Sequence, residues 1–490
     1  MIHPSRIAIL SIFLLLQTLT KAQNSEIIDK LDIKVESAGT FTDGDYAPFW
    51  LTSNSYGISS ANRNKEYLRT GIFANKKLLN DKLDISIGFD ILASHNLQSD
   101  LYVQQLYADF RYKILGLSVG MKERHNPHLN KQLSSGDLTL SDNARPIPQV
   151  EAGFPEFVTI PFTNGWLHVQ GALSYGWFND GGFKKRYAQD GNYATKVLYH
   201  RKYAYVKVEK NSPWSFMIGL QMDTQWGGHI YSKGEFLYSS PAKINDFFKV
   251  FIPMKGGGET NYADQANVQG NVYGGWYFAI NYKKNDYSIK TYFQNFFEDH
   301  SGLIFKNIPD GIYGIEFNLN KKQIISSFLF EYIHTKNQSG PVLTPTWRDP
   351  DIPIMAVGED DYYNHSGYVS ETNYGHVLGN PLLTSPIYND GRTLKVLNTR
   401  ISAFHGGFGG YLTNDLSYRL LLTYSRSWGT YALPSRHTRN QFSSLVEGTY
   451  TPARLKNWLF SGAIAFDNSS SMVGDNFGFQ LKLSKLFHIK

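Results

Sequence analysis

Apolar and polar residues alternate with a period of two along most of this chain. Leu83, Ile85, Ile87, Phe89 and Ile91 are interleaved with Asp84, Ser86, Gly88 and Asp90, so an extended strand here has one apolar face and one polar or small face. Leu416, Tyr418, Leu420, Leu422 and Tyr424 alternate in the same way with Ser417, Arg419, Leu421, Thr423 and Ser425. A third segment places Tyr102, Leu106, Ala108, Phe110 and Tyr112 on one face and Gln105, Tyr107, Asp109 and Arg111 on the other. Such segments recur from end to end.

The connections between them alternate too, short and then long. Tight turns are predicted at Asn80-Asp81, near Leu115-Gly116, at Asn164-Gly165, at Asn211 to Pro213, and at Asn285-Asp286, Lys321-Lys322, Asn414-Asp415 and Lys456-Asn457. Longer Gly/Asn/Ser/Pro-rich connections fall at residues 38–65, 95–100, 125–156, 179–198, 227–270, 298–310, 336–397, 429–441 and 469–474. With a first strand near 31–37 and a last at 475–487, the count is eighteen strands, and both chain ends lie on the short-turn side.

That asymmetry decides between two all-β architectures. A soluble sandwich turns its apolar faces inward and has long loops at both ends, whereas a transmembrane barrel turns them outward and has short periplasmic turns and long outer loops. The pattern predicts an antiparallel up-and-down transmembrane barrel. Strands of about 10 to 13 residues suit a tilted bilayer span. Tyr424, Trp428, Trp276 and Tyr282, near strand ends, suit aromatic girdles. The final alternation of Phe477, Phe479, Leu481 and Leu483, with Phe487 near the end, suits an outer-membrane assembly signal, followed here by three more residues. One loop segment breaks the period: Ser240 as N-cap, Pro241, then Ile244, Phe247, Phe248 and Phe251 predict a short helix near 240–251, packed into the lumen or capping it.

Composition supports this reading. The 32 Tyr, 32 Phe and 9 Trp of the 490 residues are more than a polar loop protein would carry, and no linker divides the chain into domains. A disulfide scaffold is excluded because the chain has no cysteine. The formal charge of +6 comes without a basic stripe, so no nucleic-acid partner is expected. Residues 1–22 have a basic start, an apolar stretch at 7–16 and Ala22 before Gln23, and so are expected to be a cleaved signal peptide. The stretch is too short to span a bilayer. The mature chain from 23 to 490 is thus expected as one barrel domain in the cell outer membrane, monomeric and in contact with its lipid.

Particular phrases narrow the family. They are Pro48-Phe49-Trp50-Leu51 with Asn54-Ser55-Tyr56-Gly57, Leu133-Ser134-Ser135-Gly136, Ala144-Arg145-Pro146-Ile147-Pro148-Gln149, Ile160-Pro161-Phe162-Thr163-Asn164-Gly165-Trp166 and Trp226-Gly227-Gly228. The series continues with Phe296-Phe297-Glu298-Asp299-His300-Ser301-Gly302, Gln338-Ser339-Gly340-Pro341, Tyr362-Tyr363-Asn364, Leu378-Gly379-Asn380-Pro381-Leu382 and Trp428-Gly429-Thr430-Tyr431. In this order, over nearly the whole mature chain, they resemble the capsule assembly protein Wzi family in its Bacteroidetes form. The resemblance implies an eighteen-stranded outer-membrane lectin that binds capsular polysaccharide or exopolysaccharide and helps retain it at the cell surface. The enterobacterial representative also has a periplasmic helical bundle, for which this sequence leaves no room ahead of its first strand.

A glycan site needs flat apolar surfaces for sugar C–H faces and planar hydrogen-bonding groups for hydroxyls. The 336–397 loop offers Trp347, Arg348 and Asp349, then Asp360, Asp361, Tyr362, Tyr363, Asn364 and His365. Trp226, His229, Asp299 and His300 border two other long loops and form a second group. The competing role for each is to brace its loop or join the girdle. The inward charges Asp90, Asp109, Arg111, Glu331 and Arg419 either select a permeant solute or pair across a filled lumen, and pairing is the expectation. No strand-to-helix nucleophile elbow is apparent, and adjacent Asp299, His300 and Ser301 do not form a triad on one strand face, so no catalysis is expected. No cofactor or metal is expected either: His125 with His128, and Asp360 and Asp361 with His365, lack a closing ligand, although the acidic pair suits weak calcium binding. The alternative functions are an oligosaccharide-permeable porin and, third, a lipid-modifying enzyme.

Overall fold

The computed structural model describes residues 28–188, 191–254, 269–298, 300–338, 342–345, 353–356, 360–389, 393–470 and 472–489. The leader lies outside them. Among the described residues, eighteen antiparallel strands pair in one sheet that closes on itself. They are β1 (Lys30–Gly44), β2 (Lys65–Leu78), β3 (Leu83–His95), β4 (Leu101–Tyr112), β5 (Leu115–Met121), β6 (Gln149–Thr159), β7 (Leu167–Trp177), β8 (Leu198–Glu209) and β9 (Trp214–Trp226). The second half comprises β10 (Asn271–Lys283), β11 (Tyr287–Gln294), β12 (Gly311–Leu319), β13 (Ser327–His334), β14 (Ile401–Tyr411), β15 (Leu416–Gly429), β16 (Pro434–Tyr450), β17 (Trp458–Ser469) and β18 (Asn476–His488). Each strand pairs with the next in the chain, and β1 pairs with β18 from Asp32↔His488 to Gly44↔Asn476. Closure leaves no sheet edge to satisfy in lipid.

The alternation has the sense that a membrane wall requires. Ile87 and Phe89 of β3, Leu106 and Phe110 of β4, Val446 of β16 and Leu481 of β18 are exposed on the outside. Asp90, Gln105, Gln221, Glu331, Thr423 and Ser443 are buried on the inside. The apolar residues therefore face lipid and the polar ones face a filled lumen.

Two expectations shift. Tyr102 does not share the outward face of Leu106, because a bulge at Asp90/Ile91 sets two β4 residues against one and turns Tyr102 inward beneath Arg145. The 429–441 connection is only four residues long, because β16 begins at Pro434 and its polar first half extends the wall into water.

One strand that leads into a long loop is short. β5 has seven residues, so residues 122–148 leave the wall partway up and enter the lumen. The helix in the 227–270 loop spans Ile244–Phe251, starting later than Pro241. It lies against the outside of the wall rather than in or over the lumen.

Candidate functional site

The lumen is filled by three connections. Residues 122–148 cross it and bond to wall strands on several sides. Lys290 Nζ and Tyr277 Oη donate to the His128 carbonyl at 3.1 and 2.9 Å, and Asn130 Nδ2 donates to Glu316 Oε1 at 2.7 Å. Ser134 Oγ and the Ser135 amide donate to the two Glu331 carboxylate oxygens at 2.7 and 2.8 Å. His405 Nε2 meets the Leu133 carbonyl at 2.7 Å, and a side chain at Gly407 would collide with Leu133.

The loop around 360–398 packs onto this segment. Ser141 Oγ donates to the Gly379 carbonyl at 2.6 Å, Asn143 Nδ2 to the Val377 carbonyl at 3.0 Å and Asn380 Nδ2 to the Gly136 carbonyl at 2.7 Å. The 45–64 connection adds Trp50, whose Nε1 donates to Thr423 Oγ1 at 3.1 Å and whose ring lies 5.1 Å from that of His405. Together these segments form a continuous apolar core with the inner wall. Several of the phrases that carry the family resemblance, including 48–51, 133–136, 144–149 and 378–382, lie in this plug.

The inward charges pair rather than line a path. Arg69 holds Asp90 through Nε at 2.8 Å and Glu123 through Nη2 at 2.9 Å. Lys122 pairs with Asp109 and Arg111 with Glu156, each at 2.5 Å, and Arg419 pairs with Glu447 at 2.9 Å. Beneath the plug, on the short-turn side, a cavity of about 330 Å³ is lined by Asp84, Asp109, Arg111, Lys122, Arg124 and Glu151, among others.

Tyr362 and Tyr363 are fully buried in the plug. Tyr362 Oη donates to Asp310 Oδ2 at 3.0 Å and accepts from Asn307 Nδ2 at 2.8 Å. Tyr363 Oη donates to the Leu138 carbonyl at 2.5 Å and accepts from the Asn380 amide at 2.8 Å. Both rings meet Phe296 edge-on. Asn364 is buried and clasps Val396 through its carbonyl and amide. Trp226 is buried with its ring edge-on to Phe247. Trp347, Arg348, Asp349 and Asp299 lie outside the described residues. His300 opens the short helix His300–Leu303.

His229 stands in a three-stranded sheet outside the barrel, built from Tyr193–Thr195, His229–Ser232 and Glu235–Ser239. Its Nδ1 meets Ser239 Oγ at 2.8 Å. Tyr231 stacks on Tyr193 at 4.9 Å with nearly parallel planes, and Phe236 lies edge-on to both Tyr231 and His229. Phe236 is exposed and Tyr231 half-buried, so this sheet presents an aromatic face with a polar imidazole beside it. Sequence reasoning missed Tyr231 and Phe236, although both lie within seven residues of His229 in a long outer loop.

Burial sets the charge state of several plug groups. Burial holds Glu298 and Glu371 well above the ordinary carboxylate range, with the charge of Glu371 adding to the rise at Glu298 and that of Asp223 to the rise at Glu371. His365 and His376 are pushed down to about 4 by burial. A neutral His365 fits its geometry, since Nδ1 accepts from the Gly367 amide at 3.0 Å. Asp360 and Asp361 flank this region, and burial raises Asp361. Among the described residues, no three His, Asp or Glu side chains converge as metal ligands.

A closed, outward-apolar barrel of eighteen strands, plugged by its own long loops, defines an outer-membrane β-barrel protein. The chain belongs to the capsule assembly protein Wzi family, whose model matches residues 80–382. It is similar to the solved structure of Escherichia coli Wzi, described as an outer-membrane protein involved in group 1 capsule assembly and a carbohydrate-binding β-barrel. That match has 13% identity, 96% of this chain and 87% of that chain covered, and a TM-score of 0.57. A second similar structure is Acinetobacter baumannii OccAB2, at 11% identity, 95% and 100% coverage and a TM-score of 0.50. No curated protein matches the chain significantly.

Proposed function

We propose that this protein binds capsular polysaccharide or exopolysaccharide at its outer surface and retains it at the cell, as a monomer and without a catalytic cycle. The observation that carries the reading is the plug: three connections fill the lumen and bond to facing walls, at Arg69 of β2 and Lys290 of β11 among others, leaving the extracellular loops as the working surface. The inward charges are paired within this packing, which disfavours a solute path. The carbohydrate-binding description of the similar E. coli protein agrees.

Within that surface, the aromatic sheet supports sugar stacking on Tyr231 and Phe236, with His229 placed for a hydroxyl. Trp347, Arg348 and Asp349 belong to the same proposal. They fall between the paired strands Val342–Pro345 and Pro353–Ala356, and bring a planar guanidinium suited to an acidic sugar and a carboxylate suited to sugar hydroxyls. Tyr362, Tyr363, Asn364 and Trp226 serve as the framework beneath. A glycan array probed with the detergent-folded barrel tests the reading. Saturable binding to capsular or exopolysaccharide chains supports it, and binding to none of the host's surface polysaccharides contradicts it.

A further inference from the structure

The helix Ile244–Phe251 lies on the outer wall of the barrel, and its position follows from strand parity. Leu173 and Trp177 of β7 point outward and are exposed, so Tyr175 between them points outward too. Tyr175 pairs in register with His200, and Lys202 lies two residues further along the same outward row of β8. On β9 the exposed Phe216 and Ile218 share parity with Thr224 and Trp226. The helix covers this outward corner. Tyr175 Oη donates to the Phe247 carbonyl at 2.9 Å, Phe247 packs on Tyr175 and Trp226, and Phe251 reaches His200. Lys202 Nζ donates to the Val250 and Phe251 carbonyls, where the helix end favours a cation. The helix thus roofs over a histidine and a lysine that would otherwise face the membrane.

Its other face has no cover among the described residues. Ile244 is 77% and Phe248 70% exposed, and Phe251, Ile252 and Met254 are exposed as well. The spacing of 244, 248, 251 and 252 puts them on one side, while Asp246 and Val250 are buried on the other. Ten residues separate Trp214 from Thr224 on β9, roughly 25 Å along the axis at the usual rise and tilt, which is the height of a barrel's lipid band. The helix therefore sits at the outer edge of that band, and its apolar face continues the lipid-facing wall from Leu173, two residues from Tyr175 on the same outward row.

We propose that Ile244–Phe251 is an interfacial helix whose exposed side inserts among the acyl chains of the outer leaflet, fixing the depth of the barrel at β7 to β9. The occupant is lipid because the face is continuous with the lipid-facing wall and apolar along its length.

The chain contains no cysteine, so single nitroxide labels report cleanly. Full-length barrels carrying Phe248→Cys, Ile244→Cys, Phe216→Cys as a wall reference or Ser366→Cys as an aqueous reference are reconstituted in dioleoylphosphatidylcholine vesicles. Collision rates with oxygen and with a water-soluble nickel chelate are then measured. The expected result is that labels at 248 and 244 favour oxygen as the 216 label does, and that Lys202→Ala shifts them toward the 366 value. Preferential collision with nickel at 248 and 244 overturns the proposal, as does shielding from both agents, which would mean that protein covers the helix. Each variant is first required to show the heat-modifiable mobility of a folded barrel, and 244 substitutes for 248 if that variant fails.

Discussion

Ser134 Oγ lies 2.7 Å from Glu331 Oε1, joining a lumenal loop to strand β13 across 197 residues of sequence. Glu331 also accepts from the Ser135 amide and from Tyr292, so one buried carboxylate anchors the plug and braces the wall. Glu331→Leu would strand these donors, at about 1–3 kcal/mol for each unsatisfied group. The barrel should still assemble, while amide exchange over 130–140 should accelerate by one to two orders of magnitude. Unchanged exchange there would show that the plug is held by other contacts.

Tyr363→Phe removes one hydroxyl that both donates to Leu138 and accepts from Asn380. The expected cost is about 1–3 kcal/mol of plug stability, with polysaccharide affinity unchanged because the ring is buried. A urea titration followed by limited proteolysis of the loops measures the first and a binding isotherm the second. A loss of affinity with normal plug protection would return Tyr363 to the binding surface.

Much of this was legible in the chain. Alternation and the short/long rhythm of connections give eighteen strands because a membrane wall enforces one apolar face per strand. What escaped is the interior of the lumen. A loop lining a polar lumen and a loop in water have the same composition, so Tyr362, Tyr363 and Asn364 read as surface residues although they are buried. Tyr102 escaped because a single-residue bulge inverts parity, and the polar first half of β16 because a strand continued into water loses its apolar face. The helix was visible in its 3.6-residue spacing. Its placement outside the wall was not, since only the neighbouring Tyr175, His200 and Trp226 settle which side it covers.

The Glu298/Glu371 pair predicts a pH dependence. Their folded pKa values are raised, so their contribution to plug stability is complete below the ordinary glutamate value near 4.5 and is lost as pH rises through the folded values. Glu371→Gln, which keeps an acceptor for Asn271 Nδ2, should leave plug exchange near wild type at pH 5 and slow it relative to wild type at pH 8. Parallel pH profiles for the two proteins would exclude this role.

Arg69 is buried between Asp90 and Glu123 on the inner wall. Arg69→Ala leaves two carboxylates uncompensated, which typically costs about 3–5 kcal/mol. The variant should unfold at markedly lower denaturant concentration in detergent. A change within error of zero would mean that water enters and solvates the pair.

His229→Ala with Phe236→Ala should weaken polysaccharide binding by roughly tenfold, on the order of 1.4 kcal/mol, if a sugar ring stacks on this sheet. Heat-modifiable mobility should be unaffected because both residues stand outside the barrel. Full affinity in the double variant, with loss in Trp347→Ala, would move the site to the 346–352 segment.

The central claim is that the barrel is a plugged binding protein rather than a pore, and single-channel recording in a planar bilayer tests it most directly. The plug predicts no steady open conductance for the folded wild-type barrel, with or without added oligosaccharide. A steady conductance that oligosaccharide blocks would contradict the account and make the protein a sugar-permeable porin.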